Sequence, residues 1–273
     1  MKTRIISGIV AAIIIALIIV LNIFWPMAVV IALALLAGLA SVEMLHNTGC
    51  IKNPVVIIAA AVYSAAFQFA FSGILGISHE ILTFIYIIAI IAVSLRYHQS
   101  FSAEQMGMSL AMPIILSFAF GCVESLINSS DSNGLFYLFI LVNFACVSDI
   151  GAYFVGTAIG KNKLAPIISP KKTVEGAVGG VLCSVLGTLI ICLIFGAISE
   201  KSVNTLSLCL ITPMMSVIGM VGDLFASAIK RKYNIKDYGN IMPGHGGVLD
   251  RLDSVLLVAP AFSLFLSFAE VVI

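Results

Sequence analysis

The chain has 273 residues, of which 61% are hydrophobic and 10% are charged, and its formal net charge is +1. Soluble domains carry about 25% charged residues, so this composition excludes an ordinary soluble protein. We predict an all-α integral membrane protein, a polytopic bundle of about nine transmembrane helices. Its expected partners include the lipid bilayer but no nucleic acid.

Apolar stretches of membrane-spanning length follow one another along most of the chain. The hydrocarbon core of a bilayer requires about 20 apolar residues per helix. By this measure the predicted spans are roughly 5–24, 27–46, 54–73, 78–95, 104–127, 135–156, 176–198, 205–229 and 253–272. We expect residues 1–130 to form a scaffold, and 131–273, with cytoplasmic loops 157–175 and 230–252, to form the catalytic region.

Basic residues are distributed very unequally between the two sides of the membrane. With the N-terminus in the cytoplasm, the outside segments hold only Lys201 of the 14 Lys and Arg residues. The positive-inside rule therefore predicts a cytoplasmic N-terminus. We expect a multi-pass protein of the cell inner (plasma) membrane whose active site faces the cytoplasm.

A first polar segment, Ser148–Gly176, covers the end of span six and the loop that follows it. Because span six runs from outside to inside, Asp149 and this loop both lie on the cytoplasmic side. The loop includes Lys171 and Lys172, whose ammonium groups suit phosphate binding.

A second polar segment, 223–254, lies between two long apolar stretches and holds four of the 13 acidic residues. Span eight, extended over 205–232, would be a helix of about 28 residues or about 42 Å, against about 30 Å of hydrocarbon. Its last turns should therefore project into the cytoplasm. Gly219 and Gly222 leave room for another element to approach the helix closely.

The projecting end of span eight carries its polar residues on one helix face, because their spacing is i, i+4, i+7 and i+8. They are Asp223, Ser227, Lys230 and Arg231. Asp250, Arg251 and Asp253 then enter span nine from the same side of the membrane. Three regions distant in sequence are thus expected at one depth.

Carboxylates, cations and a glycine-rich turn together indicate phosphoryl or nucleotidyl transfer. Asp223 and Asp250 could jointly hold Mg²⁺, which proteins bind through one or two carboxylates plus phosphate oxygens and water. The turn at residues 243–247 could present backbone N–H groups to an anion. The sequence contains no Walker A motif, so the chain is not a P-loop enzyme.

These residues resemble the signature of the CTP:phosphatidate cytidylyltransferases, also called CDP-diacylglycerol synthases. The matching positions of the long signature are Ser227, Lys230, Arg231, Lys236, Asp237, Pro243, Gly244, His245, Gly246, Gly247, Asp250, Arg251 and Asp253. The other matches are Asp149, Gly151, Ala152, Tyr153, Ser169, Pro170, Lys172, Thr173, Gly176, Gly222 and Asp223. Ile150 departs from the Ser or Thr that the pattern has after its aspartate.

The resemblance implies a Mg²⁺-dependent reaction of phospholipid biosynthesis in which CTP and phosphatidic acid give CDP-diacylglycerol and pyrophosphate. The residues expected to be catalytic are Asp223, Asp250, Lys172, Lys230 and Arg231, with Asp223 and Asp250 as the metal ligands. Those expected to bind substrate are Asp149, Ser169, Lys171, Lys172, Thr173, Ser227, Lys230, Arg231, Gly244, His245, Gly246, Gly247 and Arg251. The chain could also form a homodimer.

Structural interpretations of the same residues are also open. Asp250 and Asp253 could cap span nine, and Asp223 could accept hydrogen bonds within the bundle. Basic residues could act only as topology signals, as we expect of Lys161 and Lys163.

Two further questions are open from the sequence. His245 could bind phosphate, hold its loop, or do both. The chain could also be a CTP-dependent transferase acting on another membrane lipid, such as an ether lipid or a polyprenol, or an anion transporter. A transporter would place its polar groups near the centre of the bilayer.

Overall fold

The computed structural model of the chain describes residues 2–99, 101–129, 133–199, 201–241 and 246–272, with side chains described from residue 7 onward. The helices are α1 (Lys2–Phe24), α2 (Met27–Val42), α3 (Pro54–Phe71), α4 (His79–Arg96), α5 (Ala103–Ile127), α6 (Gly134–Val142), α7 (Ser148–Ile159), α8 (Val174–Ser199), α9 (Thr205–Lys232), α10 (Leu249–Leu252) and α11 (Val255–Phe268). Two strands, β1 (Lys163–Ala165) and β2 (Ser169–Thr173), lie between α7 and α8.

Among the described residues, eight helices are long and apolar enough to cross a membrane. They agree with the first eight predicted spans, and α9 covers the 28 residues expected of it. The ninth predicted span contains α11, an apolar helix of 14 residues. The prediction of an all-α, multi-pass membrane protein is confirmed, whereas the side on which the N-terminus lies stays a prediction.

Two single π-helical turns interrupt the helices. The first π turn, Glu43–Asn47, continues α2, and the second π turn, Asn143–Val147, joins α6 to α7. Such turns occur frequently at functional sites, because the extra residue in the turn redirects the side chains on it. Both turns begin with a buried polar residue, Glu43 in one and Asn143 in the other.

The described chain divides into two compact units. The first contains Met1–Glu124 and Lys232–Leu252, and the second contains Ser125–Arg231 and Asp253–Ile273. The division near residue 124 lies close to the predicted boundary at 130, but the polar segment 232–252 groups with the N-terminal helices. The functional division into scaffold and catalytic region stays a prediction.

Within the first unit, polar contacts between helices specify which helices pack together. Ser41 Oγ on α2 and Ser64 Oγ on α3 lie 2.7 Å apart. Gln68 Nε2 on α3 donates to the carbonyl oxygen of Ser117 on α5 at 3.0 Å. Because lipid tails are as apolar as leucine, such hydrogen bonds and close packing, rather than hydrophobic burial, favour particular helix pairs in a membrane.

Within the second unit, small residues bring α7 and α8 into backbone contact. A β-carbon on Gly180 would lie 2.5 Å from the carbonyl oxygen of Ser148, and one on Gly176 would lie 2.6 Å from that of Ala152. Real side chains do not tolerate such separations, so these two helices can pack this closely only with glycine at both positions. This packing fixes α7, which carries Asp149.

The predicted loop 157–175 contains an antiparallel β-hairpin that the sequence analysis did not anticipate. Lys163 pairs with Thr173, and Ala165 pairs with Ser169. Successive side chains of a strand point to opposite faces. Accordingly Lys171 is exposed, whereas the neighbouring Lys172 is half-buried.

Candidate active site

Three carboxylates and two lysines lie together in the second unit. This carboxylate–lysine cluster consists of Asp149 on α7, Lys172 on β2, Asp223 and Lys230 on α9, and Asp253 just before α11. The sequence analysis had assigned four of these five residues to the site, and the structure brings them together. The fifth residue, Asp253, was not assigned to the site from the sequence, and it lies beside Asp223.

Lys172 is the cation shared between two elements of the cluster. Its Nζ forms an ion pair with Asp223 Oδ2 and lies 3.9 Å from Asp149 Oδ1. Its side chain is 21% exposed and that of Asp223 is 22% exposed. Since the pair is only partly hydrated, removal of either charge would leave the other poorly compensated.

The second lysine faces the third carboxylate. Lys230 Nζ lies 3.8 Å from Asp253 Oδ2, and the backbone N–H of Ser254 donates to Asp253 Oδ1 at 2.9 Å. Asp253 also lies close to the Asp223 carboxylate. Three carboxylates facing two ammonium groups leave the cluster with an excess of oxygen acceptors, which suits an additional cation.

Close packing of α9 against the start of α11 places Asp223 near Asp253. A β-carbon on Gly222 would lie 2.9 Å from the carbonyl oxygen of Asp253, and one on Gly219 would lie 3.2 Å from Val258 Cγ2. The predicted close approach at these two glycines is therefore confirmed. Gly222 is required because the atom it faces is backbone, which cannot move aside as a side chain can.

Hydroxyl groups complete the cluster. Ser254 Oγ donates to Asp149 Oδ2 at 2.9 Å and so ties the residue preceding α11 to α7. Ser227 Oγ, one turn after Asp223, lies 3.5 Å from Asp223 Oδ1. Ser227 was predicted from the sequence, but Ser254 was not, because a single serine at a helix start carries no distinctive pattern.

The other residues predicted for this region lie outside the cluster. Thr173 is buried, and its Oγ1 accepts from the backbone N–H of Gly176 at 3.2 Å, which caps α8. Arg231 is exposed and its Nε donates to the carbonyl oxygen of Ile168 at 3.4 Å. Lys171 is exposed and Ser169 is partly exposed. Their roles in binding substrate stay predictions.

In the first unit, Asp250 closes the turn that precedes it. Its Oδ2 accepts from the backbone N–H groups of Tyr238 at 2.7 Å and Gly247 at 3.0 Å. Gly246 has a φ of 89°, and a β-carbon there would lie 2.9 Å from Asp250 Oδ2. Glycine is thus required at this position by both the backbone conformation and the space available.

Three further residues predicted for this segment are Gly244, His245 and Arg251. Gly244 and His245 lie outside the described residues. Arg251 is exposed on α10. The roles predicted for these three residues therefore stay predictions.

A buried glutamate that the sequence analysis missed holds the same turn. Glu43, on the first π turn, is 1% exposed. Its Oε1 accepts from the backbone N–H of Val248 at 3.0 Å and its Oε2 from that of Leu249 at 2.9 Å. A signal was present, because an ionisable residue in an otherwise apolar membrane span indicates function by default.

Further contacts fasten the segment 232–252, which we call the signature segment, to the N-terminal helices. Asn47 Nδ2 donates to the carbonyl oxygen of Tyr238 at 2.8 Å. Glu104 Oε1, at the start of α5, accepts from the hydroxyl of Tyr233 at 2.6 Å and lies 3.0 Å from Lys232 Nζ. The first unit thus supplies its own partners for both ends of the signature segment.

The described residues contain no group of three or more His, Cys, Asp or Glu side chains arranged to hold a metal ion. Asp223 lies in the second unit and Asp250 in the first, so their sharing of Mg²⁺ stays a prediction. The donor chemistry of the cluster nevertheless fits Mg²⁺, a hard cation that one or two carboxylates can hold when phosphate oxygens and water complete its coordination.

Comparison with known proteins identifies the family. The profile of the cytidylyltransferase family matches residues 2–269. A phosphatidate cytidylyltransferase of Bacillus subtilis strain 168 is 34% identical over 268 residues, which is 95% of each chain. The phosphatidate cytidylyltransferases of Staphylococcus haemolyticus and Staphylococcus saprophyticus are 42% and 43% identical over 135 residues, half of each chain. The chain therefore belongs to the cytidylyltransferase family and is a membrane-embedded nucleotidyltransferase.

Proposed function

We propose that this enzyme transfers CMP from CTP to phosphatidic acid, giving CDP-diacylglycerol and pyrophosphate. The observation that carries the proposal is the cluster in which Lys172 lies between Asp149 and Asp223. It combines phosphate-binding cations with carboxylates in a membrane protein. The Bacillus subtilis relative, whose name specifies phosphatidate, aligns with 95% of the chain and supports this choice of lipid.

The proposed reaction needs charge stabilisation more than proton transfer. An ionised phosphate oxygen of phosphatidic acid attacks the α-phosphorus of CTP, a new P–O bond forms, and the bond to the β-phosphate oxygen breaks. No general base is required, since the attacking oxygen is already ionised. Lys172 and Lys230 would lower the repulsion between the two anionic substrates and stabilise the charge that develops in the transition state.

We also propose that the reaction requires Mg²⁺, with Asp223 as one ligand and Asp250 as its predicted partner. When bound, Mg²⁺ would neutralise phosphate charge and assist the departure of pyrophosphate. The excess of carboxylates over lysines in the cluster supports this requirement. Asp253 would help by adding negative charge beside Asp223.

The active site is proposed to face the cytoplasm, where CTP is available, while phosphatidic acid enters from the bilayer. The distribution of Lys and Arg supports this orientation, since only Lys201 of the 14 falls in the predicted outside segments. The bacterial relatives favour the cell inner membrane as the location.

Purified protein in detergent, supplied with CTP labelled in its α-phosphate, tests the proposal. We expect label to enter lipid when phosphatidic acid and Mg²⁺ are both present, with release of one pyrophosphate per lipid labelled. Incorporation with a polyprenyl phosphate but not with phosphatidic acid would favour a transferase for another lipid. Absence of label in any lipid would overturn the proposed activity.

A further inference from the structure

The first π turn places a carboxylate against residues 247–249 of the signature segment. Both oxygens of Glu43 are used, each by one backbone N–H of two consecutive residues, Val248 and Leu249. Leu249 is the first residue of α10 and Val248 precedes it, and N–H groups at a helix start have no partner within the helix. Glu43 therefore supplies, from a distant part of the sequence, the hydrogen bonds that this helix start requires.

Two glycines leave the space that this carboxylate occupies. A β-carbon on Gly247 would lie 2.5 Å from both Oε1 and Oε2 of Glu43, and one on Gly239 would also collide with Oε1. Neither glycine has a positive φ, so its backbone conformation does not by itself require glycine. The close approach of Glu43 explains their identity, whereas Gly246 is explained by its φ of 89°.

The residues held in this way closely follow Gly244 and His245 in the sequence, for which a role in binding substrate is predicted. The backbone N–H groups of residues 247–249 are already bonded to Asp250 and Glu43. They therefore serve to shape the turn. A change in the conformation of residues 247–249 would also displace Asp250, which follows them directly.

We propose that Glu43 is a positioning residue for cytidylyl transfer. Through its two hydrogen bonds it sets the backbone conformation of residues 247–249 in the reactive enzyme, without touching substrate itself. The inference rests on the proposed function for its kinetic part, but its structural part can be measured without activity.

Glu43→Gln removes one hydrogen-bond acceptor while it keeps the size of the side chain. Its amide nitrogen is a donor, so it can accept only one of the two N–H groups and leaves the other buried without a partner. We expect faster hydrogen–deuterium exchange in a peptide covering residues 246–250. We also expect kcat to fall at least about tenfold, because small displacements of reacting groups have large effects on rate. The KM for CTP should change less than kcat, since Lys172 and Lys230 are unaltered.

Glu124→Gln provides the matched control. Glu124 is also a buried glutamate on a membrane helix of the first unit, with 3% exposure, but it belongs to α5 and, among the described residues, forms no hydrogen bond with residues 246–250. We expect this variant to keep the wild-type exchange rate at 246–250 and the wild-type kcat. Equal losses of kcat in the two variants would overturn the inference, because they would show a general effect of altering a buried carboxylate.

A double-mutant cycle tests the contact directly. Gly247→Ala should reduce kcat strongly in the presence of Glu43, because the new methyl group collides with the carboxylate. In a Glu43→Ala background the same substitution should cost far less, since the space has been vacated. Independent, multiplicative losses would contradict the proposed contact.

The two proposals fail in different ways. If the wild-type protein does not label lipid from CTP, the proposed function falls, and the exchange rates at residues 246–250 still decide whether Glu43 holds the turn. If the wild-type protein is active but Glu43→Gln alters neither exchange nor kcat, Glu43 is not a positioning residue.

Discussion

Lys172 Nζ and Asp223 Oδ2 form an ion pair that joins a short β-hairpin to a 28-residue helix. The hairpin determines which of two adjacent lysines can make this contact, because neighbouring residues on a strand point to opposite faces. Lys172 reaches Asp223, and Lys171 remains exposed. The structure thus distinguishes two adjacent lysines that look equivalent in the sequence, and we expect them to have different functions.

Alanine substitution should distinguish these two lysines. We expect Lys172→Ala to lower kcat/KM for CTP by about 10²–10³-fold, the range seen when one preorganised group that stabilises transition-state charge is removed. Lys171→Ala should cost less than tenfold. Lys161→Ala and Lys163→Ala serve as controls for general surface charge, and equal losses in all four variants would contradict a specific site.

Removal of the charge on Asp223 should abolish most turnover while leaving insertion into the membrane intact. Asp223→Asn keeps the size of the side chain but removes the partner of Lys172 and the predicted ligand of Mg²⁺. We expect kcat to fall by at least about 10²-fold. Glu80→Gln, in which the altered side chain is 70% exposed, is the control. Near-normal turnover of Asp223→Asn at saturating Mg²⁺ would contradict the assignment.

The close packing at Gly222 should be sensitive to a single methyl group. Gly222→Ala places a β-carbon against the carbonyl oxygen of Asp253, and we expect about 1–3 kcal/mol of destabilisation and a fall in kcat. Gly107→Ala on α5 is the matched control, because its β-carbon would meet no atom within 4 Å. We expect that variant to be as stable as the wild type or slightly more so. Thermal unfolding in detergent measures both, and equal midpoints would refute the packing argument.

Removal of divalent cations should stop the reaction. We expect EDTA to abolish incorporation of labelled CMP and added Mg²⁺ to restore it, because two anionic substrates must be brought together. In Asp253→Asn the concentration of Mg²⁺ needed for half-maximal rate should rise severalfold, since one carboxylate of the cluster is lost. Full activity in excess EDTA would remove Mg²⁺ from the proposed mechanism.

The signature segment should be accessible only from the cytoplasm. Asn240 is exposed and suits a reporter cysteine, whereas a side chain on the neighbouring Gly239 would collide with Glu43. In a background lacking the six native cysteines, Asn240→Cys should react with an impermeant thiol reagent in inside-out vesicles but not in intact cells. Labelling of intact cells would overturn the proposed orientation and the route of CTP entry.

The membrane helices could be predicted because hydropathy is a local property of the sequence. The observed bounds of α9, Thr205–Lys232, are those expected from apolar length and the polar residues after it. The grouping of Asp149, Lys172, Asp223 and Lys230 also followed from the sequence, since the predicted topology placed all four at the same membrane side.

Long-range contacts account for what could not be predicted. The hydrogen bond between Glu43 and Val248 joins residues 205 positions apart, and no local sequence pattern predicts it. The hairpin depends on the pairing of Lys163 with Thr173, in a segment too short and polar to suggest strands. Thr173 was expected to bind substrate from its motif alone, but it also caps α8, a role that depends on where that helix begins.

The two π turns show the same relationship between a polar side chain and a distant glycine. Glu43 lies against Gly247 of the signature segment, and Asn143 lies against Gly187 of α8, so that a β-carbon on either glycine would collide with the polar group. Neither glycine can be replaced by a larger residue while Glu43 or Asn143 occupies the space beside it. Replacing Glu43 or Asn143 by a smaller residue creates no such collision. A larger residue at position 247 or 187 therefore fits only when position 43 or 143 carries a smaller one, so the residues at each pair constrain one another.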